Sequence, residues 1–362
     1  MRQLILALLL LATLSSCMKD DELWDFDRLS VDKPRGIFVI NEGNFTYGNA
    51  SLSFYDMESG ELLNDIFYNT NALPLGDVAL SMSIRDSLGY VVVNNSGRIY
   101  VINTSTFQYV GKITGLSSPR YLHFVSDSKA YVSDLYARAI TIVNPMTLEV
   151  TGSIDVGNSK GGFHQHSTEQ MVQYGKYVYT NCWSYDKQVL VIDSETDKVL
   201  DSIEVVKQPN SMVMDRFHNL WVLSDGGFEG SPYGYEVPGL MKIEPGSREA
   251  SLVYSFERGT QPTELHINGS GDTLWFLNRH LWRMPIEGSV PEMFIESPYA
   301  SGFNGGFYGL EVDPSNSELY ISDAIDYVQR GRVYRYLPDG VPLDTLRTGI
   351  SPAAFCFKPE SR

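Results

Sequence analysis

Short apolar runs that end in a polar turn recur along the chain. The run at 177–181 reads Tyr-Val-Tyr-Thr-Asn, and related runs begin at residues 37, 89, 130, 220, 274 and 319. Each is rich in β-branched and aromatic residues and is bounded by Asn, Asp, Gly or Ser, which is the pattern of a buried β-strand. The copies follow one another at intervals of roughly 40–55 residues, and a repeat of that length built from strands predicts one propeller blade per copy.

Three further strands accompany these core strands. A second apolar strand and a third, more polar one follow, for example at 98–104 and 109–113, and an inner strand precedes, for example at 119–124. Residues 351–357 form an inner strand with no core strand after it, while the first core strand has no inner strand before it. We therefore expect an all-β, seven-bladed β-propeller of four-stranded antiparallel blades over 36–358, closed by pairing of its N- and C-terminal strands, with no long helix.

The first residues predict export rather than a part of the fold. Arg2 precedes an apolar stretch at 4–14, too short to span a bilayer, so 1–16 reads as a signal peptide. The small residues before Cys17 resemble a bacterial lipobox; the alternative is an ordinary signal peptide with a chance cysteine. Residues 17–35 then form a lipidated Cys17 and an acidic tether, and the acidic run at 19–22 resembles the surface-export signal of Bacteroidota lipoproteins. We expect a lipid-anchored, surface-exposed protein of the outer membrane.

Composition narrows the class of ligand. The 362 residues include 28 Lys and Arg against 44 Asp and Glu, a net charge of −16. An acidic surface argues against nucleic acid, whose binding depends on clustered cations. Three Cys do not make a disulfide framework, and Cys182 and Cys356 fall within predicted strands as small buried residues.

Catalytic motifs are weak in this sequence. Residues 157–161 match the G-x-S-x-G pattern, but they lie in a loop before an inner strand rather than in a strand–turn–helix unit. His164 and His166 have the spacing that places two rings on one face of a strand, yet two nitrogens are few for a metal site and no third ligand is evident. We therefore predict no enzyme activity, no catalytic residue, no resident cofactor and no metal.

One rim of the predicted ring collects unusual side chains. Loops after core strands and loops that lead into inner strands open on the same face of a propeller, and here they carry aromatic, amide and charged groups. Rigid aromatic surface mixed with polar groups suits a large, flat ligand with polar edges; the alternative is that many of these rings cap blade ends. The candidate ligand-binding residues are Asn44, Phe45, Tyr47, Asn95, Arg120, Asp134, Glu169, Trp183, Tyr185, Asn210, Asp225, Tyr233, Tyr235, Asn278, Asp326 and Tyr327.

The sequence resembles two known groups of proteins. The Tyr-Val-Tyr-Thr-Asn run, followed by Val-Leu-Val-Ile-Asp and a Thr-Asp turn, resembles the YVTN-type seven-bladed propellers. Longer strings resemble the BtuG family of Bacteroidota surface lipoproteins; they lie at 37–50 (IFVINEGNFTYGNA), 118–121 (SPRY), 167–174 (STEQMVQY), 230–236 (GSPYGYE) and 322–327 (SDAIDY).

The second resemblance implies a function. The BtuG family binds cobalamin (vitamin B12) and related corrinoids, flat macrocycles with amide arms, and passes them to a TonB-dependent outer-membrane transporter. It implies that cobalamin is a ligand rather than a cofactor. Two alternatives remain: an enzyme like the seven-bladed streptogramin lyases, which use a His and a metal, and a protein- or glycan-binding adaptor of a nutrient-uptake complex.

Overall fold

Seven antiparallel sheets of four strands each form a ring in this protein. The computed structural model describes residues 35–158, 166–299 and 305–358, and these contain the seven sheets. This is a seven-bladed β-propeller, so the predicted fold class is confirmed. The predicted signal peptide, Cys17 and the acidic tether up to residue 34 lie outside the described residues.

The strands are short and follow one another in chain order. Blades I to III contain β1 (Gly36–Asn41), β2 (Ser51–Asp56), β3 (Leu62–Leu63), β4 (Ala79–Arg85), β5 (Leu88–Val93), β6 (Arg98–Asn103), β7 (Tyr109–Ile113), β8 (Pro119–Ser126), β9 (Lys129–Asp134), β10 (Ala139–Asn144) and β11 (Glu149–Asp155). Blades IV and V contain β12 (Thr168–Tyr174), β13 (Tyr177–Cys182), β14 (Gln188–Asp193), β15 (Lys198–Glu204), β16 (Pro209–Met214), β17 (Leu220–Ser224), β18 (Gly239–Ile243) and β19 (Ala250–Ser255). Blades VI and VII contain β20 (Thr263–Ile267), β21 (Thr273–Asn278), β22 (His280–Pro285), β23 (Glu292–Ile295), β24 (Leu310–Val312), β25 (Leu319–Asp323), β26 (Arg330–Tyr336) and β27 (Pro342–Ile350).

The two ends of the chain meet in blade I. The final strand, β28 (Pro352–Lys358), pairs with β1, so the sheet order is β28-β1-β2-β3. Ile37 lies opposite Phe357 and Val39 opposite Phe355, and the amide N–H of Gly349 donates to Oδ1 of Asn41 at 3.0 Å. The predicted closure is confirmed, and it leaves no open sheet edge between the first and last blades.

Core strands are buried on both faces because neighbouring blades cover them. Along β1, Phe38 and Ile40 pack into a cluster shared with blade II, while Ile37 and Val39 pack into a cluster shared with blade VII. Side chains of a strand alternate between its two faces, so each core strand needs apolar residues at every position. This explains why the repeated runs are continuously apolar rather than alternating.

The register of each blade decides where its loops open. The first residue of an inner strand lies opposite the end of the core strand: Pro119 pairs with Asp134, and Thr168 pairs with Cys182. The loop after each core strand and the loop before each inner strand therefore meet on one face, here called the upper rim. Its loops after core strands are 42–50, 94–97, 135–138, 183–187, 225–238, 279 and 324–329. The opposite face, the lower rim, carries the hairpins between inner and core strands, at 86–87, 127–128, 175–176, 215–219, 268–272 and 313–318.

Helical structure is minor. Among the described residues the α-helix is α1 (Ile66–Asn71), one and a half turns long, which buries Ile66 and Phe67 against blades I and II. In the same part of the chain, a 3-10 turn covers Asn94–Ser96. Within the described ranges, no helix has the length and apolar character that crossing a bilayer requires.

Candidate functional site

The sixteen candidate residues all lie at the upper rim. Most belong to its loops, Asp134 and Asn278 end the core strands β9 and β21, and the remaining three hold the second position of the inner strands β8, β12 and β16. Those three are Arg120, Glu169 and Asn210, whose side chains belong to the mouth of the central channel. The sequence therefore placed these residues on one face correctly, while their role in ligand binding stays a prediction.

An ion pair joins blades III and IV at the channel mouth. Nε of Arg120 donates to both carboxylate oxygens of Glu169 at 2.9 and 2.8 Å, and the side chains are only 16% and 4% exposed. Burial disfavours the Arg120 guanidinium, but the Glu169 carboxylate outweighs this and raises the pKa of Arg120. The guanidinium also lies 5.9 Å from the ring centroid of Trp183. The ion pair thus lies over the Trp183 indole ring.

The indole nitrogen of Trp183 bonds to blade V. Its Nε1–H donates to Oδ2 of Asp225 at 3.2 Å. Asp225 also accepts the backbone N–H of Gly227 at 2.8 Å and the amide of Gln208 at 3.2 Å. Burial raises the pKa of Asp225 despite these donors. Asn210 lies beside it and donates to the carbonyl of Pro262 at 2.8 Å, so this network extends to blade VI.

Aromatic rings continue the rim from blade IV towards blade VI. Tyr185 stacks on Tyr233, with ring centroids 4.4 Å apart and planes tilted by 32°. The hydroxyl oxygen of Tyr235 accepts the backbone N–H of Gly259 at 2.7 Å, and the guanidinium of Arg258 lies 4.7 Å from the Tyr235 ring centroid. These contacts order rings that the sequence places in a long Gly-rich loop.

Blades VII and I share a second aromatic group. Tyr308 and Tyr327 pack edge to face at 5.3 Å between centroids. The hydroxyl of Tyr308 donates to the carboxyl group of Glu42, and the side-chain amide of Asn44 donates to the carbonyl of Tyr327. Burial raises the pKa of Glu42, which the Tyr308 hydroxyl bond only partly offsets.

The loop of blade I also touches blade II. Asp77 accepts the backbone N–H of Thr46 at 2.9 and 3.0 Å and the side-chain amide of Asn95. These bonds hold the loop that carries Phe45 and Tyr47, whose side chains remain 68% and 78% exposed. The two rings therefore face solvent on a braced loop.

Some of the candidate carboxylates stabilise turns. Asp134 accepts the backbone N–H groups of Tyr136 and Ala137 at 2.9 and 2.8 Å. Asp326 accepts the N–H groups of Val328 and Gln329, both at 2.9 Å, and these bonds lower the pKa of Asp326. Both are Asx-type turns, so these side chains have structural partners whether or not they meet a ligand.

A cavity of about 590 Å³ opens on the upper rim between blades VI and VII. The candidate residues Asn278 and Tyr327 line it, together with Arg258, Gln261 and Tyr308. The lining of this cavity is mainly polar, with Tyr308, Tyr327 and Phe307 as its aromatic members.

Sequence reasoning missed several residues of this rim. Tyr136 is 62% exposed in the loop after β9, two positions after Asp134, where its place in the repeat was readable from the sequence. Arg258 and Tyr308 lie in segments that lead into inner strands. Their roles depend on contacts between blades, which a repeat pattern does not reveal.

A histidine with acidic partners is also present in the channel. His266 of β20 lies 3.0 Å from Glu311 and 3.5 Å from Glu264, measured between ring nitrogens and carboxylate oxygens. Burial disfavours the protonated ring, but the carboxylates of Glu311 and Glu264 outweigh this and raise the pKa of His266 to about 10. The ring therefore pairs with carboxylates on both of its nitrogens.

The other predicted chemical features have simple surroundings. His164 and residues 159–161 of the G-x-S-x-G match lie outside the described residues. His166 is described, and its Nδ1 lies 2.5 Å from Oδ2 of Asp186. Cys182 lies in β13 and Cys356 in β28, so both fall within strands as predicted. Cys182 is buried and Cys356 is half-buried.

Comparison with known proteins supports the fold. The family model of DUF5074, described as a domain of unknown function, matches residues 35–335. No curated protein sequence matches the chain.

Solved structures of similar shape are distant in sequence. A quinonprotein alcohol dehydrogenase-like protein from Bacteroides thetaiotaomicron is 15% identical with a TM-score of 0.66, over 90% of this chain and 78% of that chain. The periplasmic gluconolactonase PpgL of Pseudomonas aeruginosa is 12% identical with a TM-score of 0.65, over 90% and 99%. Apo AztD from Citrobacter koseri is 10% identical with a TM-score of 0.56, over 90% and 97%. Likeness at this level concerns the fold alone.

Proposed function

The chain belongs to the DUF5074 family, and we propose that it is a binding protein that captures cobalamin and related corrinoids on its upper rim. The observation that carries the proposal is the meeting of exposed aromatic rings and polar side chains from different blades on one rim, beside a cavity of about 590 Å³. The identity of the ligand rests on the resemblance of the loop strings to the BtuG family.

The chemistry of the rim suits a broad, flat ligand with amide arms. Phe45 and Tyr47 present rings on a loop that is held by bonds to Asp77, so little ordering is needed when a ligand covers them. Arg258, Gln261 and Asn278 supply donors and acceptors at the cavity. A macrocycle would lie across the rings while its side arms reach the polar wall.

Delivery completes the proposal. The predicted lipidation at Cys17 and the acidic tether would hold the propeller at the outer surface of the outer membrane, where a TonB-dependent transporter takes over the ligand. Mutation of Cys17 to Ala should abolish incorporation of labelled palmitate and release the protein from membranes. Crosslinking in intact cells should recover the transporter only when the propeller is anchored; capture of a different partner would favour the adaptor alternative.

Calorimetry with cyanocobalamin tests the binding claim. We expect saturable binding at one site, and at a ligand concentration of 100 Kd a stabilisation of about 2.7 kcal/mol. Phe45→Ala and Tyr47→Ala should each weaken binding by about 1–3 kcal/mol, or about 5- to 150-fold in Kd, if the rings are anchors. Neither ring is buried, so both variants should fold.

Phe217→Ala is the matched control. Phe217 is 55% exposed but lies in the lower-rim hairpin 215–219, so its loss should leave Kd unchanged. An absence of both heat and thermal shift at excess cyanocobalamin would refute cobalamin as the ligand. Equal losses of affinity in Phe217→Ala and Tyr47→Ala would refute the upper rim as the binding surface. Mass spectrometry of the recovered ligand should show it unaltered; a changed mass would favour an enzyme.

A further inference from the structure

Three side chains of different chemistry converge in blade IV. His166 precedes β12, Cys182 ends β13, and Asp186 lies in the turn before β14. One nitrogen, one sulfur and one oxygen from these residues all lie within 4.8 Å of one another. The pairing of Thr168 with Cys182 in the sheet brings these separate segments together.

We propose that His166, Cys182 and Asp186 form a binding site for a divalent transition metal, with Zn²⁺ as the best match. An imidazole nitrogen, a thiolate and a carboxylate oxygen are the ligand types that Zn²⁺ takes in proteins. Three protein ligands leave one coordination position for water. The argument for this site does not rest on the proposed corrinoid binding, although Asp186 lies in the upper-rim loop 183–187.

The geometry needs small side-chain movements. Zinc bonds of about 2.0–2.3 Å in a tetrahedral arrangement place ligand atoms roughly 3.3–3.7 Å apart. Nδ1 of His166 and Oδ2 of Asp186 lie 2.5 Å apart, so these two atoms must separate by about 1 Å. No pair of the three ligand atoms is more than 4.8 Å apart, so the sulfur needs to approach the other two by at most about 1 Å.

The surroundings orient the ligands. Oδ1 of Asp186 accepts the backbone N–H of Lys187 at 2.7 Å, which leaves Oδ2 directed at His166. The backbone N–H of His166 donates to the carbonyl of Val156 at 2.9 Å. Such bonds to the groups behind the ligands hold metal sites in shape.

Access and environment differ on the two sides of the cluster. Cys182 belongs to an apolar cluster of blades III and IV that includes Tyr131 and Leu190, and burial raises the pKa of its thiol. Metal binding would displace the thiol proton to solvent and form the metal–sulfur bond. His166 and Val156 line a groove of about 310 Å³, through which the ion and its water ligand would enter.

Metal titration of the full-length protein, purified without a histidine tag, tests the site. Competition with a chromophoric chelator should show one Zn²⁺ per chain. Cys182→Ala and Asp186→Asn should each weaken Zn²⁺ binding by at least tenfold, a loss comparable to those seen at the outer shell of known sites. Cys356→Ala is the control, because Cys356 is the other described cysteine and lies in β28, and it should bind Zn²⁺ as the parent does.

Co²⁺ provides a second readout that identifies the sulfur ligand. The Co²⁺ form should show a thiolate-to-metal charge-transfer absorption that persists in Cys356→Ala and disappears in Cys182→Ala. Asp186→Asn, which changes a residue of the turn before β14 rather than of a core strand, keeps the test open if Cys182→Ala does not fold. Zinc binding that is unchanged in Asp186→Asn, or a Co²⁺ spectrum without a thiolate band, would overturn the proposal and leave a simple His–Asp hydrogen bond.

Discussion

The Arg120–Glu169 pair gives the sharpest prediction about stability. Replacement of Glu169 by Gln removes one charge from a pair whose side chains are 16% and 4% exposed. The Arg120 guanidinium then stays at the channel mouth without its counter-charge. Breaking one side of a buried ion pair costs about 3–5 kcal/mol, so we expect a loss of that size in the free energy of unfolding and a fall in Tm on the order of 10 °C.

A double replacement separates the attraction between Arg120 and Glu169 from the cost of burying their charges. Burial raises the pKa of Glu169, and the Arg120 guanidinium acts in the opposite direction. Arg120→Met with Glu169→Leu removes both charges and keeps comparable volume, so it should cost less than about 1 kcal/mol relative to the parent. Binding of cyanocobalamin to this double variant then reports whether the two side chains contact the ligand.

Urea unfolding followed by tryptophan fluorescence measures these free energies. The matched control is Glu292→Gln, which removes the carboxylate that accepts Nε of Arg283 at 2.6 Å on the exposed outer part of blade VI. Those side chains are 34% and 62% exposed, so this loss should stay below about 1 kcal/mol. A cost for Glu169→Gln no larger than for Glu292→Gln, or a double variant as unstable as Glu169→Gln, would refute the reasoning.

Three further predictions concern the fold. The pKa of His266 is raised to about 10. Its ion pairs therefore stabilise the protein fully below pH 6.5, and this contribution is lost as the pH rises from 6.5 through 10. His266→Gln should flatten the Tm-against-pH curve over that window, and an unchanged slope would contradict the prediction. A Cβ on Gly269 would lie 1.7 Å from the carbonyl oxygen of Pro314, whereas a Cβ on Gly152 meets nothing closer than 3.4 Å. Gly269→Ala should therefore lower the free energy of unfolding in urea by about 1–3 kcal/mol, and Gly152→Ala by far less. Similar losses in the two variants would refute this prediction. Deletion of β28 opens blade I and should abolish the cooperative unfolding transition; a truncated chain that melts like the parent would show that closure is unimportant.

Most of the fold could be predicted from the repeat in the sequence. Continuous apolar runs identified all seven core strands because both faces of each are buried between blades. The inner strand β4 lacks such a signal, since Ala79–Arg85 alternates small, polar and apolar residues and no Pro marks its start. The segment 307–312 precedes the core strand at 319 and so occupies the inner-strand position of blade VII, but the strand there covers only Leu310–Val312. The backbone N–H groups of Phe307 and Tyr308 donate instead to the carbonyls of Arg279 and Ser322.

The sequence predicts which face of the propeller carries the candidate residues, but not which of their side chains contact one another. The position of a residue in the repeat fixes its rim, so Asn44 and Tyr327 were assigned to one face although 283 residues separate them. Their direct contact, like the pairing of Arg120 with Glu169, depends on the directions of side chains across a blade boundary. No local pattern encodes those directions, and the same limit hid the partners of His166.

Hydrogen–deuterium exchange with and without saturating cyanocobalamin tests the central claim, that the upper rim is a preformed site for a broad ligand. Amides of the upper-rim loops 42–50, 183–187 and 225–238 should exchange more slowly in the complex, and the lower-rim hairpins 215–219, 268–272 and 313–318 should be unchanged. Protection confined to the lower rim, or none at a ligand concentration far above Kd, would contradict the account.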